Sequence, residues 1–104
     1  DARLRERDYG SLAGKTWEGN FEEEGELQRK NDTEQRYDYR PYGGESAKQV
    51  IVRVLASLAD IKATRTDPVV VVAHGGVLKA LKKHFEGDAY DRMPNNGTIL
   101  TLDI

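Results

Sequence analysis

Asp67-Pro68-Val69-Val70-Val71-Val72-Ala73-His74-Gly75-Gly76 is the stretch on which the fold turns. Proline after a polar residue breaks whatever precedes it, and four consecutive valines then favour extended backbone. The run does not alternate with polar residues. It predicts a strand buried on both faces, as in a parallel sheet between helices. His74-Gly75-Gly76 is the turn that ends it. Residues 77–85 predict a helix with Val77, Leu78, Leu81 and Phe85 inward and Gly87 as its C-cap.

Working outward, Ser46 and Gln49 have the spacing of a capping box, in which hydroxyl and amide satisfy free backbone N–H groups at a helix start. Ala47, Val50, Ile51, Val54, Leu55 and Leu58 follow at helical spacing and predict an amphipathic helix to about Lys62. Downstream, Pro94-Asn95-Asn96-Gly97 predicts a turn and residues 98–103 a further strand. Helix, strand, helix, strand is the order of an α/β layered fold. Residues 1–16 are charged and turn-like around Gly10 and Gly14. Residues 17–35 open acidic and predict a solvated helix or lid in which only Trp17, Phe21 and Leu27 could pack inward. Residues 37–44 predict an irregular loop whose Tyr37, Tyr39 and Tyr42 either line a pocket or pack the loop.

With 104 residues the chain holds one domain at most. Its 38% hydrophobic and 33% charged residues are globular rather than disordered in type. A net charge of −2 argues against a nucleic-acid binder with a basic face, while leaving room for a local basic pocket. The sequence has no cysteine, so neither a disulfide framework nor a thiolate metal site is expected. No apolar run approaches the ~20 residues of a membrane span, and no targeting pattern is visible. The expected setting is the cytoplasm. Because the chain opens on Asp1-Ala2-Arg3-Leu4-Arg5 rather than on a start, its natural N-terminus is expected to lie further upstream.

Three groups of residues carry chemistry. His74 ends the valine run, and ligands of α/β sheets bind beyond the carboxyl ends of the strands. The helix after it offers free N–H groups to an anion, and Gly75 and Gly76 allow close backbone approach. Taken alone, such a histidine is equally a turn residue. The second group is Leu4-Arg5-Glu6-Arg7-Asp8-Tyr9-Gly10, in which Glu6 alone would be read as a solvated charge. The third is Gly43-Gly44-Glu45-Ser46, which a helix cap would be enough to explain. His84 lies on the second helix without such a setting and is expected to be structural.

In this order and spacing, a Leu-x-Glu-x-x-Tyr-Gly segment, a Gly-Glu-Ser helix start and a hydrophobic strand ending in His-Gly resemble the histidine phosphatase superfamily, the phosphoglycerate mutase-like enzymes. A late Asn-x-Thr-Ile-x-x-Leu strand, with Asn96 and Leu102 at its ends, is similar to that family too. The resemblance covers nearly the whole chain. It implies a three-layer α/β/α sandwich with a mostly parallel sheet, present here as the C-terminal portion of a single domain, residues 1–104. It implies a metal-independent phosphomonoesterase acting through phosphohistidine, or a mutase, on a small phosphorylated substrate and without a cofactor. Glu6 would protonate the departing oxygen and later activate water, and His74 would help hold the transferring phosphoryl group. Arg7, Tyr9, Gly75 and Gly76 would contact substrate or phosphate, and Glu45 and Ser46 would be structural or orienting. Phosphoryl transfer needs positioned positive charge, N–H donors and a proton shuttle, which is what this set offers.

The family's Arg-His-Gly nucleophile motif does not occur in these 104 residues. It is expected upstream of Asp1, and this chain alone is expected to be inactive. The family's first strand would be missing with it, leaving an apolar sheet edge for a missing N-terminal segment or a second chain to complete. Phosphatase is favoured over mutase, because Arg29-Lys30 is only a weak counterpart of the paired arginines in mutases. Two other readings compete with the enzyme. One is a non-catalytic phospho-ligand or interaction module that keeps half the pocket. The other is an unrelated α/β domain in which Glu6 and His74 lie far apart.

Overall fold

The computed structural model describes residues 1–14, 38–87 and 94–104. Among them are two α-helices, α1 (Ala47–Thr64) and α2 (Gly75–Glu86). Short 3-10 turns at Ala2–Leu4, Gly10–Leu12 and Arg40–Tyr42 shape the segments leading up to α1.

α1 starts where the capping pattern places it. The Gln49 N–H donates to Ser46 Oγ at 3.2 Å, and the Ser46 N–H donates to Gln49 Oε1 at 2.9 Å. Val50, Val54, Ser57 and Leu58 form its buried row, and Ile51, Leu55 and Ile61 flank it. Val77, Ala80 and Leu81 of α2 complete the core cluster. Each valine or leucine side chain taken from water there contributes about 1.5–3 kcal/mol before ordering costs. Ser57 is the polar member of the row. Its hydroxyl donates to Asp1 Oδ2 at 2.8 Å, so the buried oxygen is satisfied and residue 1 is tied to α1.

α2 is as expected in position, and Gly87 ends it with φ +78°. Phe85 is not inward as its spacing predicts: it is exposed and meets the exposed His84 ring edge to face, with ring centres 4.8 Å apart. The contact with α1 is made by Val77, Ala80 and Leu81, and the last turn runs beyond it. The turn at residues 94–97 is present, with the Thr98 N–H donating to Asn95 O at 3.1 Å.

The parallel sheet is where structure and expectation part. Among the described residues no strand ladder forms, and the isolated bridge is between Asp38 and Ser46. The valine run pairs with no strand among the described residues, and it is not buried on both faces. Exposure alternates along it: 46% at Val69, 91% at Val70, 38% at Val71 and 87% at Val72. Ala73, Leu100 and Leu102 pack on the helical core, while Ile99 points to solvent. The physical reason is that a strand needs a neighbour for its N–H and C=O groups, and no described segment supplies one. An open trough of about 480 Å³ is left, lined by Leu4, Val54, Leu58, Val71, Val77 and Leu100 among others. The acidic segment 17–35, Tyr37 and the Arg29-Lys30 pair lie outside the described residues.

Candidate active site

Glu6 and the start of α2 come together. The Glu6 carboxylate accepts the Arg7 N–H at 2.7 Å through Oε1 and the Gly76 N–H at 3.3 Å through Oε2. His74 is the N-cap of α2, with extended backbone (φ −114°, ψ 164°) and no side-chain cap bond. Its side chain is exposed, and Gly75 opens the helix. Gly76 is buried for a steric reason: a Cβ there would fall on Glu6 Oε1 and lie 3.2 Å from Arg7 Cβ. A carboxylate, a histidine and the positive end of a helix therefore share one small region.

Beside Glu6, Arg7 packs against two tyrosine rings. It is only 5% exposed, and its guanidinium carbon lies 4.9 Å from the Tyr9 ring centre and 4.5 Å from that of Tyr39. The two rings meet edge to face at 4.9 Å. Arg7 Nη2 donates to the Tyr9 hydroxyl at 3.4 Å. Cation–π contacts gain strength when water is excluded, so this stack fixes the guanidinium plane as well as its charge. Of the loop tyrosines, Tyr39 is fully buried and supports Arg7.

Glu45 and Ser46 hold the junction between the Glu6 loop and the start of α1. Ser46 caps α1, and the Glu45 N–H donates to Asp8 O at 2.8 Å. The Asp8 N–H returns a bond to Glu45 Oε2 at 2.9 Å. Gly10 and Gly44 are pressed into this junction, where a Cβ on either would run into backbone of the other loop. Glu45 is also held by a bidentate pair with Arg53, Nε to Oε1 and Nη2 to Oε2, both at 2.9 Å. The Arg53 hydrogen bonds hold the Glu45 carboxyl below the usual glutamate range, aided by the Asp8 N–H and the charges of Arg53 and Arg5, against the opposing effect of burial.

Arg53 was not singled out by sequence reasoning, although its other contacts all go to the Glu6 segment. Nη1 donates to Arg3 O at 2.7 Å and Arg5 O at 2.9 Å, and Nη2 donates to Glu6 O at 3.1 Å. The available signal was an arginine between two valines, two helical turns beyond Glu45. Among the described residues no group of three or more His, Asp or Glu side chains could hold a metal ion. Nor is any described helix long and apolar enough to cross a membrane.

The family model of the histidine phosphatase superfamily (branch 1) matches residues 1–102. The chain is 39% identical over 79 residues to a metal-independent phosphoserine phosphatase of Arabidopsis thaliana, covering 75% of this chain and 33% of that protein. It is 35% identical over 97 residues to a 2,3-bisphosphoglycerate-dependent phosphoglycerate mutase of Methylobacterium sp., covering 90% of this chain and 46% of the mutase. A mutase of the same name from Beijerinckia indica is 34% identical over 100 residues, 88% of this chain and 45% of that protein. The chain thus spans less than half the length of these relatives. No solved structure matches it.

Proposed function

Because the chain belongs to the histidine phosphatase superfamily, an α/β family, we propose that it supplies half of the active site of a metal-independent phosphoryl-transfer enzyme. The reaction is hydrolysis of a small phosphomonoester through a phosphohistidine, or its transfer counterpart in a mutase. The observation that carries this reading is the meeting of the Glu6 carboxylate with the N-terminus of α2, two residues past His74. Relatives named as phosphoserine phosphatase and phosphoglycerate mutase support both versions. They lend nothing to a non-catalytic module, and membership of the family overturns the reading as an unrelated α/β domain.

In this proposal Glu6 gives its proton to the departing alkoxide as the P–O bond breaks, and then takes a proton from the water that attacks the phosphoenzyme. His74 and the first turn of α2 stabilise the equatorial phosphoryl oxygens, on which negative charge is spread in the transition state. Arg7, fixed on two tyrosine rings, and Tyr9 orient the anionic substrate. Gly75 and Gly76 keep the helix start open to the phosphate and to Glu6. The nucleophilic histidine comes from sequence other than these 104 residues. Residues 69–73 and 98–103 are then strands of a three-layer α/β/α sandwich, and the trough beside them receives the segment or second chain that completes the sheet.

The test is incubation of the natural polypeptide with a labelled phosphomonoester, followed by trapping. An acid-labile, base-stable phosphoprotein is expected, with turnover lost in Glu6→Gln and His74→Ala. An enzyme indifferent to both changes would overturn the roles given to these residues. The pure 104-residue chain is expected to show no turnover, and measurable hydrolysis by it would show that the nucleophile lies within it.

A further inference from the structure

We propose that Arg53, on the second turn of α1, is a positioning residue that sets the place of the Glu6 carboxylate for proton transfer. The inference rests on the reading of Glu6 as the acid. It goes beyond that reading by naming a residue that touches neither substrate nor the reacting atoms.

A carboxylate on a loop is only as well placed as the backbone that carries it. Glu6 has two side-chain anchors, the N–H groups of Arg7 and Gly76, and the second is long at 3.3 Å. The Gly76 contact ties the carboxylate to the start of α2. Asp1 and Arg3 meet Ser57 and Asp60 of α1 at the far end of the segment, and next to Glu6 itself the tie to α1 is Arg53. Its fork reaches three carbonyls of that segment, Arg3 O, Arg5 O and Glu6 O, at 2.7, 2.9 and 3.1 Å. The same guanidinium holds Glu45, whose Oε2 accepts the Asp8 N–H at 2.9 Å. Glu6 is therefore fastened on both sides: directly at its own carbonyl and before it, and through Glu45 two residues after it.

The chemistry of the fork makes the assignment specific to arginine. Five N–H donors in one plane let one side chain serve a bidentate carboxylate and three carbonyls at once. A lysine has three donors on a single nitrogen and cannot span them. Both charges of the Arg53–Glu45 pair are largely buried, with side-chain exposures of 12% and 14%, so moving either one deprives the other of its main partner. Such a pair is a rigid mount. Displacement of a reacting group by about 1 Å can cost on the order of 10²-fold in rate.

The test uses the natural polypeptide and two substrates that differ in their need for an acid. An alkyl phosphomonoester loses a basic alkoxide and needs the proton, whereas 4-nitrophenyl phosphate loses a stable phenolate and does not. The readout is kcat/KM, which covers the steps up to phosphoenzyme formation and leaves out its later hydrolysis. Glu6→Gln should lose on the order of 10²-fold or more with the alkyl ester and far less with the aryl ester. Arg53→Met should show the same split, smaller in size, and add little on top of Glu6→Gln in the double variant. Arg53→Lys keeps the charge and should give an intermediate split; it decides the matter if Arg53→Met does not fold. Equal losses with both esters in a folded Arg53 variant would mean general structural damage and would overturn the proposal. If Glu6→Gln itself fails to separate the two esters, the reading of Glu6 as the acid fails first.

Discussion

A methyl group on Gly76 would occupy the space now held by a Glu6 carboxylate oxygen. Gly76→Ala therefore sets two effects against each other. Alanine raises helix propensity by about 1 kcal/mol relative to glycine, but here it must push Glu6 aside and crowd Arg7. Stability should change little, while on the proposed mechanism turnover of an alkyl phosphomonoester by the natural protein should fall on the order of 10²-fold, because the proposed acid is misplaced. Parallel thermal melts and rate measurements check this, and an active Gly76→Ala enzyme would show that Glu6 need not sit there. Glu45 gives a second expectation. Its carboxyl is held low by Arg53, so the unfolded chain binds a proton at higher pH than the folded one does. Stability from this group is fully present above the ordinary glutamate pKa of about 4.3 and is lost as pH falls through the lower folded value. Urea unfolding of the chain between neutral pH and ~pH 3 should show this loss, and Glu45→Gln should flatten that part of the profile. At this scale Glu6 and His74 were legible as candidates because ordered motifs mark them. Arg53 was not, since a single arginine on a helix looks like a solvated charge until its carbonyl partners are folded against it.

For the helices, local rules carried most of the outcome. The boundaries of α1 follow from a capping box and a break at Asp67-Pro68, and its buried row follows from spacing. Ser46→Ala should cost about 0.5–2 kcal/mol, because Ser46 Oγ satisfies the Gln49 N–H in a partly buried setting. Restoring an acceptor with Ser46→Asp should recover most of that loss, as read by urea midpoints. Leu58→Ala should fall near the lower end of the ~2–5 kcal/mol usual for buried leucines. Leu58 already borders the open trough, so part of the space opened by its removal adjoins space that is empty now. Phe85 marks where periodicity stops being enough. Its spacing from Leu81 is right for burial, but burial also requires an opposing surface, and the core cluster ends at Leu81.

At the scale of the whole molecule, the valine run separates what a sequence encodes locally from what only a complete sheet provides. Four valines dictate extended backbone, and the alternation of exposure from Val69 to Val72 is the period of such a backbone. Ladder bonds and a second covering layer depend on segments elsewhere in the chain or in another chain, so the run could specify a strand without specifying its neighbours. Val70 and Val72 distinguish the two situations. They are 91% and 87% exposed, so Val70→Lys together with Val72→Lys should leave the fold of the isolated chain intact. The same change should reduce its self-association, since charge on an open apolar edge blocks strand-to-strand pairing. In a three-layer α/β/α sandwich that outer face lies beneath helices, and two lysines there would bury unpaired charge at a cost of several kcal/mol. Sedimentation of the chain and urea unfolding of the natural polypeptide, each with and without the two lysines, make the comparison. Equal tolerance in both would mean that Val70 and Val72 remain on an open surface, and the proposed three-layer arrangement would fall.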